Sequence, residues 1–133
     1  MGEQRGWSID RALRVLPKSP ADARSFLDRH LREHGLGHLV DDVQLVASEL
    51  VTNALVHAGT LHGLDLEVLE DSIIVRVWDG SNVRPFVVTA PDLDTGGRGM
   101  RLVEALAVEW GVTAGPDSGK CVWASFDICA GST

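Results

Sequence analysis

The stretch from Leu45 to Ala58 limits what this chain can become more than any other. It carries Leu45, Val46, Leu50 and Ala54 at helical spacing with no interrupting proline. The spacing predicts a helix from about His38 to Ala58, with Asp41 and Asp42 in its early turns and Gly59 as its stop. Glu49, Asn53 and His57 follow at i, i+4 and i+8 and so share a face. A carboxylate one turn from a carboxamide brings a proton acceptor and a neutral oxygen ligand into one small volume. That pair suits a magnesium-phosphate site. It equally describes the solvent face of an amphipathic helix, which for this helix alone is the simpler reading. The rest of the chain has to decide.

The remaining composition narrows the partners. With 133 residues, 44% of them hydrophobic, one domain over residues 1–133 with an ordered core from about 5 to 128 is expected. No apolar run approaches the roughly 20 residues needed to span a bilayer, and Met1 to Arg5 lead into no signal-peptide core, so a soluble, cytoplasmic protein is expected. A net charge of -7 disfavours the phosphate backbone of nucleic acids and anionic membranes, leaving another protein as the expected macromolecular partner. Tyrosine is absent, and Trp7, Trp78, Trp110 and Trp123 are too dispersed to form a base-stacking platform. Cys121 and Cys129 lack Cys-x-x-Cys spacing and read as reduced thiols.

In chain order, residues 5 to 16 alternate partially and stop at Pro17, as an edge strand would. Ser19, Pro20 and Asp22 supply an N-cap, a first-turn proline and a first-turn acid for a helix to His34, stopped by Gly35. Its apolar stripe is Ala23, Phe26, Leu27 and Leu31. His30, His34 and His38 share a spacing of four, but Gly35 and Gly37 intervene, so a hydrated surface is expected there and not a metal site. Leu64 to Val68 and Ile73 to Trp78 alternate on either side of a turn at Glu70, Asp71 and Ser72, giving an antiparallel hairpin. It ends in Asp79, Gly80, Ser81 and Asn82. Asp79 could cap that turn through its own backbone or face a pocket and accept from a ligand's amino group. Residues 83 to 94, with Pro85 and Pro91, lose all periodicity and suggest a lid. Thr95 to Gly99 then form a glycine-rich turn opening a helix at Met100, an arrangement that favours an anion. A second hairpin, Trp110 to Ala114 and Lys120 to Ile128, closes the chain.

Four segments now stand in a recognisable order. Ser48 to Ala54 with His57 and Ala58 resembles the N box, and Val77 to Ser81 the G1 box, of the GHKL (histidine-kinase-like) ATPase superfamily. Gly96 to Met100 resembles its G2 box, and Gly119 to Ala124 its terminal strand motif. The resemblance spans about Pro17 to Asp127 and is greatest to the anti-sigma-factor serine/threonine kinase branch of the actinobacterial type. It implies a Bergerat fold: an α+β two-layer sandwich with a mixed, mostly antiparallel sheet covered on one face by helices. It implies ATP and Mg2+ as ligands. Asn53 would hold magnesium, Asp79 would accept from the adenine amino group, and Gly97 and Gly99 would wrap the phosphates. Ser81, Arg98, Met100 and Cys121 would complete the nucleotide site. Glu49 would be the general base toward a partner's serine hydroxyl, while His57 would pack or hydrogen-bond locally.

The same resemblance implies a sigma factor and an anti-anti-sigma STAS-domain protein as alternating partners, and a homodimer. The chain departs from the family pattern in places. Ser81 and Val83 stand where the G1 box usually has glycines, and Cys121 where threonine is frequent. The lid from Val87 to Gly97 holds no Lys or Arg, leaving Arg84 and Arg98 to offset triphosphate charge. These departures keep a second expectation open, a non-catalytic or nucleotide-free binding module of the same fold. Histidine kinase activity is not expected, because no helical phosphoacceptor segment precedes the domain.

Overall fold

A computed structural model describes residues 13–81, 97–114 and 119–129, with backbone alone at 57, 58 and 97–99. The edge strand β1 is short, Leu13–Val15, and the rest of the expected strand, residues 5 to 12, lies outside the described residues. Helix α1, Pro20–Glu33, begins where the sequence placed it because Ser19 Oγ accepts from the Asp22 backbone N–H at 3.2 Å. It buries Ala23, Leu27 and Leu31, with Phe26 partly covered. Gly35, with φ of 75°, turns the chain away.

The long central helix is less uniform than its sequence pattern. A single 3-10 turn at Gly37–Leu39 leads into α2, Val40–Asn53, after which the hydrogen bonding widens to a π-helical turn over Ala54–Ala58. Gly59, with φ of 76°, ends it in a conformation that side chains resist. The buried stripe is Val43, Val46, Ala47, Leu50, Val51 and Ala54. Leu45, expected in that stripe, is 50% exposed, because the position one residue before Val46 points about 100° away around the helix. Helix α1 fixes α2 from the side: Gln44 donates to the Arg24 carbonyl at 2.9 Å, and Arg24 donates to Ser48 Oγ at 3.2 Å.

Among the described residues, strands β2 (Gly63–Val68), β3 (Ser72–Asp79), β4 (Glu109–Ala114) and β5 (Lys120–Asp127) form with β1 a five-stranded sheet in the order β1-β2-β3-β5-β4. Every pairing among the described residues is antiparallel, in keeping with the mostly antiparallel sheet that the resemblance implies. Helix α3, Gly97–Leu106, starts inside the glycine run, three residues earlier than the apolar pattern suggested. The helices cover one face of the sheet. Leu64, Leu66, Ile73, Val75, Val77, Ala124 and Phe126 share one core with the buried positions of the helices there, Met100 and Val103 of α3 among them.

The opposite face follows the alternation but not its usual polarity. Asp65 and Glu67 are 0% and 1% exposed. Arg14 and Trp78 Nε1 both donate to Asp65, the indole at 2.8 Å, and Arg76 donates to Glu67. The Arg14 guanidinium lies 5.2 Å from the Trp78 ring centroid. No helix among the described residues is long and apolar enough to cross a membrane.

Candidate functional site

The site forms where the C-terminal end of α2, the start of α3 and the end of β3 meet. Three hydrogen bonds bring them together. Asn53 Nδ2 donates to Met100 Sδ at 3.3 Å, tying the last residue of α2 to the first turns of α3. Seven residues further along, past the π-helical turn, Thr60 Oγ1 accepts from the Gly80 N–H at 3.1 Å, and the His62 N–H donates to the Trp78 carbonyl at 2.7 Å. The chain leaving α2 is thereby fastened to the end of β3. Asp79 sits at that end.

Asp79 shares the parity of Val75 and Val77, so its carboxylate faces the helix layer, where the residue is only 3% exposed. Its Oδ1 accepts from the Ser81 N–H at 2.7 Å, the local turn that such a residue forms readily. Asp79 therefore caps its turn and is a buried carboxylate on the helix side. Lys120 stands directly opposite in the β3/β5 register, and its Nζ lies 3.0 Å from Oδ1 and 2.9 Å from Oδ2. Gly119 permits this pairing, since a Cβ there would overlap the Asp79 carbonyl oxygen.

Cys121 is placed elsewhere. It pairs with Trp78, and its neighbours Arg76, Thr113 and Asp65 belong to the far face of the sheet. Burial there pushes its thiol up to about 12. The residue beside the Asp79 carboxylate is Lys120, one position earlier in the strand. The alternation of Val122, Ala124 and Phe126 was the signal that could have found it, because Lys120 shares their parity and Cys121 does not.

Glu49 lies one turn before Asn53, half-buried, with no hydrogen bond or ion pair among the described residues. Met100 is buried at 1% exposure and acts on Asn53 as described. Ser81 contributes its backbone to Asp79. Gly97 and Gly99 form the first turn of α3, while the side chains of Arg98 and His57, and the whole lid with Arg84, lie outside the described residues. The three histidines go separate ways: His30 approaches Glu33 at 3.4 Å, His34 Nδ1 contacts the His30 carbonyl, and His38 Nε2 the Ile128 carbonyl at 2.7 Å.

The donor set fits a magnesium-bound nucleotide. With the Asn53 amide nitrogen directed at Met100, the hard neutral carbonyl oxygen is the atom left for a cation. Among the described residues no group of three or more His, Cys, Asp or Glu side chains could hold a metal. The helix start at Gly97 offers backbone N–H groups to an anion. Comparison with curated proteins finds no match. The family model of the histidine kinase-like ATPase domain, however, matches residues 13–126, from the first described strand through β5. With that span and this fold, the chain belongs to the histidine kinase-like ATPase domain family.

Proposed function

We propose that the protein binds magnesium-ATP and transfers the terminal phosphoryl group to a serine or threonine hydroxyl of a partner protein. Domains of this superfamily bind ATP, generally with magnesium. The observation that carries the kinase reading is the pair on α2: an unpartnered Glu49, among the described residues, one turn from an Asn53 anchored to Met100. In this reading Glu49 accepts the hydroxyl proton as the hydroxyl oxygen bonds to the γ-phosphorus and the bond to the β-bridging oxygen breaks, leaving ADP. Asn53 Oδ1 would hold magnesium, whose charge would screen the phosphates. Asp79 would take the exocyclic amino group of adenine, and Gly97 and Gly99 would offer backbone N–H groups to the phosphates.

The partners in this proposal are a sigma factor, sequestered by the protein, and an anti-anti-sigma STAS-domain protein, phosphorylated by it. Transcription would then be regulated by partner switching in the cytoplasm, with the protein as a homodimer. The test uses labelled ATP, purified protein and the STAS-domain partner. Wild type is expected to label the partner, Glu49→Gln to bind ATP without labelling it, and Asn53→Ala to lose ATP binding in calorimetry. Label transfer that survives Glu49→Gln would remove the carboxylate from this role. Tight ATP binding without any transfer would leave a non-catalytic module.

A further inference from the structure

Asp79 and Lys120 form an ion pair that stability alone does not account for. Both residues are buried, at 3% and 8% exposure, and both face the helix layer at the strand end fastened to the chain leaving α2. Removing two charges from water carries a desolvation cost that the mutual attraction often fails to exceed, so an apolar pair of similar volume would hold this strand end as well. The geometry has a more specific consequence. Oδ1 already accepts from two donors, the Ser81 N–H at 2.7 Å and Lys120 Nζ at 3.0 Å, whereas Oδ2 accepts from Lys120 Nζ at 2.9 Å among the described residues. A carboxylate oxygen has room for two donors. The ammonium therefore fixes the plane of the carboxyl group and leaves one acceptor position on Oδ2.

We propose that Lys120 is a positioning residue that sets the base preference of the nucleotide site, by presenting that single acceptor position of Asp79 Oδ2 to an amino-bearing purine. The inference rests on the ATP-binding reading above. A 6-amino purine donates to such an acceptor; a 6-oxo purine places a carbonyl oxygen against it and is rejected. Sites built on a specific hydrogen bond discriminate strongly against an analogue that cannot make it. Without the lysine, Asp79 becomes a buried carboxylate lacking its counter-charge and its second anchor, and it no longer presents Oδ2 in one orientation.

The experiment is calorimetric titration with magnesium-ATP and magnesium-ITP of wild type and Lys120→Gln, each checked for folding by circular dichroism. ITP carries the same phosphates and ribose, so only base recognition differs. Wild type is expected to prefer ATP by about tenfold or more. Lys120→Gln is expected to lose about tenfold in ATP affinity with ITP changed less than about threefold, so that the preference collapses. A role confined to holding the strand end would weaken both nucleotides alike, and that result, or an unchanged preference, overturns the proposal. If Lys120→Gln does not fold, Lys120→Arg carries the test: a folded variant retaining the ATP preference supports the proposal, and a folded variant without it overturns it. Wild type that binds neither nucleotide overturns both this inference and the ATP-binding reading; wild type that binds both with an unchanged Lys120→Gln preference overturns the inference alone.

Discussion

Asn53 Nδ2 donates to a thioether, a weak acceptor. Met100 sits there because α3 begins at Gly97 and presents its fourth residue to α2. The consequence is an amide whose oxygen is directed elsewhere, the orientation a cation needs. The two thiols show a different kind of control, chiefly by burial. Cys121 is 1% exposed with its thiol pushed up to about 12, whereas Cys129 is exposed. A raised thiol pKa favours the neutral form in the folded protein. Its stabilising contribution is therefore intact below the ordinary thiol value of 9.0 and is lost as pH rises from there towards about 12. At pH 8 a disulfide-exchange thiol reagent is expected to label Cys129 quickly and Cys121 only at the rate of unfolding. Denaturation midpoints are expected to fall progressively above pH 9. Two thiols reacting equally fast in the native protein would contradict this assignment.

At the level of elements, α2 is the piece on which both packing and chemistry depend. Its inner positions lie against α1, α3, β3 and β5, while Glu49 and Asn53 occupy a partly open face. Leu50, between them in sequence, is 2% exposed, and Leu45, one and a half turns earlier, is half exposed. Leu50→Ala is expected to cost about 2–5 kcal/mol of unfolding free energy. Leu45→Ala is expected to stay within about 0.5 kcal/mol. Paired urea titrations check the contrast, and equal losses would mean the face of α2 is misassigned. The element pattern itself was largely legible in the sequence. Ser19 and Pro20 marked the start of α1, Gly59 the end of the central helix, and Leu64 to Trp78 the first hairpin. The widening of the helix after Asn53 was not legible, because Ala54 to Ala58 carry an ordinary helical pattern and the change lies in which carbonyl each N–H reaches.

Across the whole molecule, three segments distant in sequence must stay assembled for the proposed site to exist, so ligand binding and folding should be linked. Magnesium-ATP at a hundredfold over its Kd would stabilise the folded state by about 2.7 kcal/mol. For a chain of this size that corresponds to a rise in Tm of several degrees, at about 2–4 °C per kcal/mol. A thermal melt with and without magnesium-ATP is expected to show this rise in wild type and none in Asn53→Ala; no rise in wild type would count against nucleotide binding. By itself the sequence determined the helices, the hairpins, their order and the pairing of Glu49 with Asn53 on one face, because periodicity, caps and turn residues act over a few positions. Only the tertiary structure decided that Asn53 meets Met100, that Asp65 and Glu67 are closed in by Arg14, Arg76 and Trp78, and that Lys120 stands beside Asp79 in place of Cys121. Those outcomes depend on which strands become neighbours and in what register. A shift of one residue turns every side chain of a strand to the other face, and only the assembled sheet selects between the two.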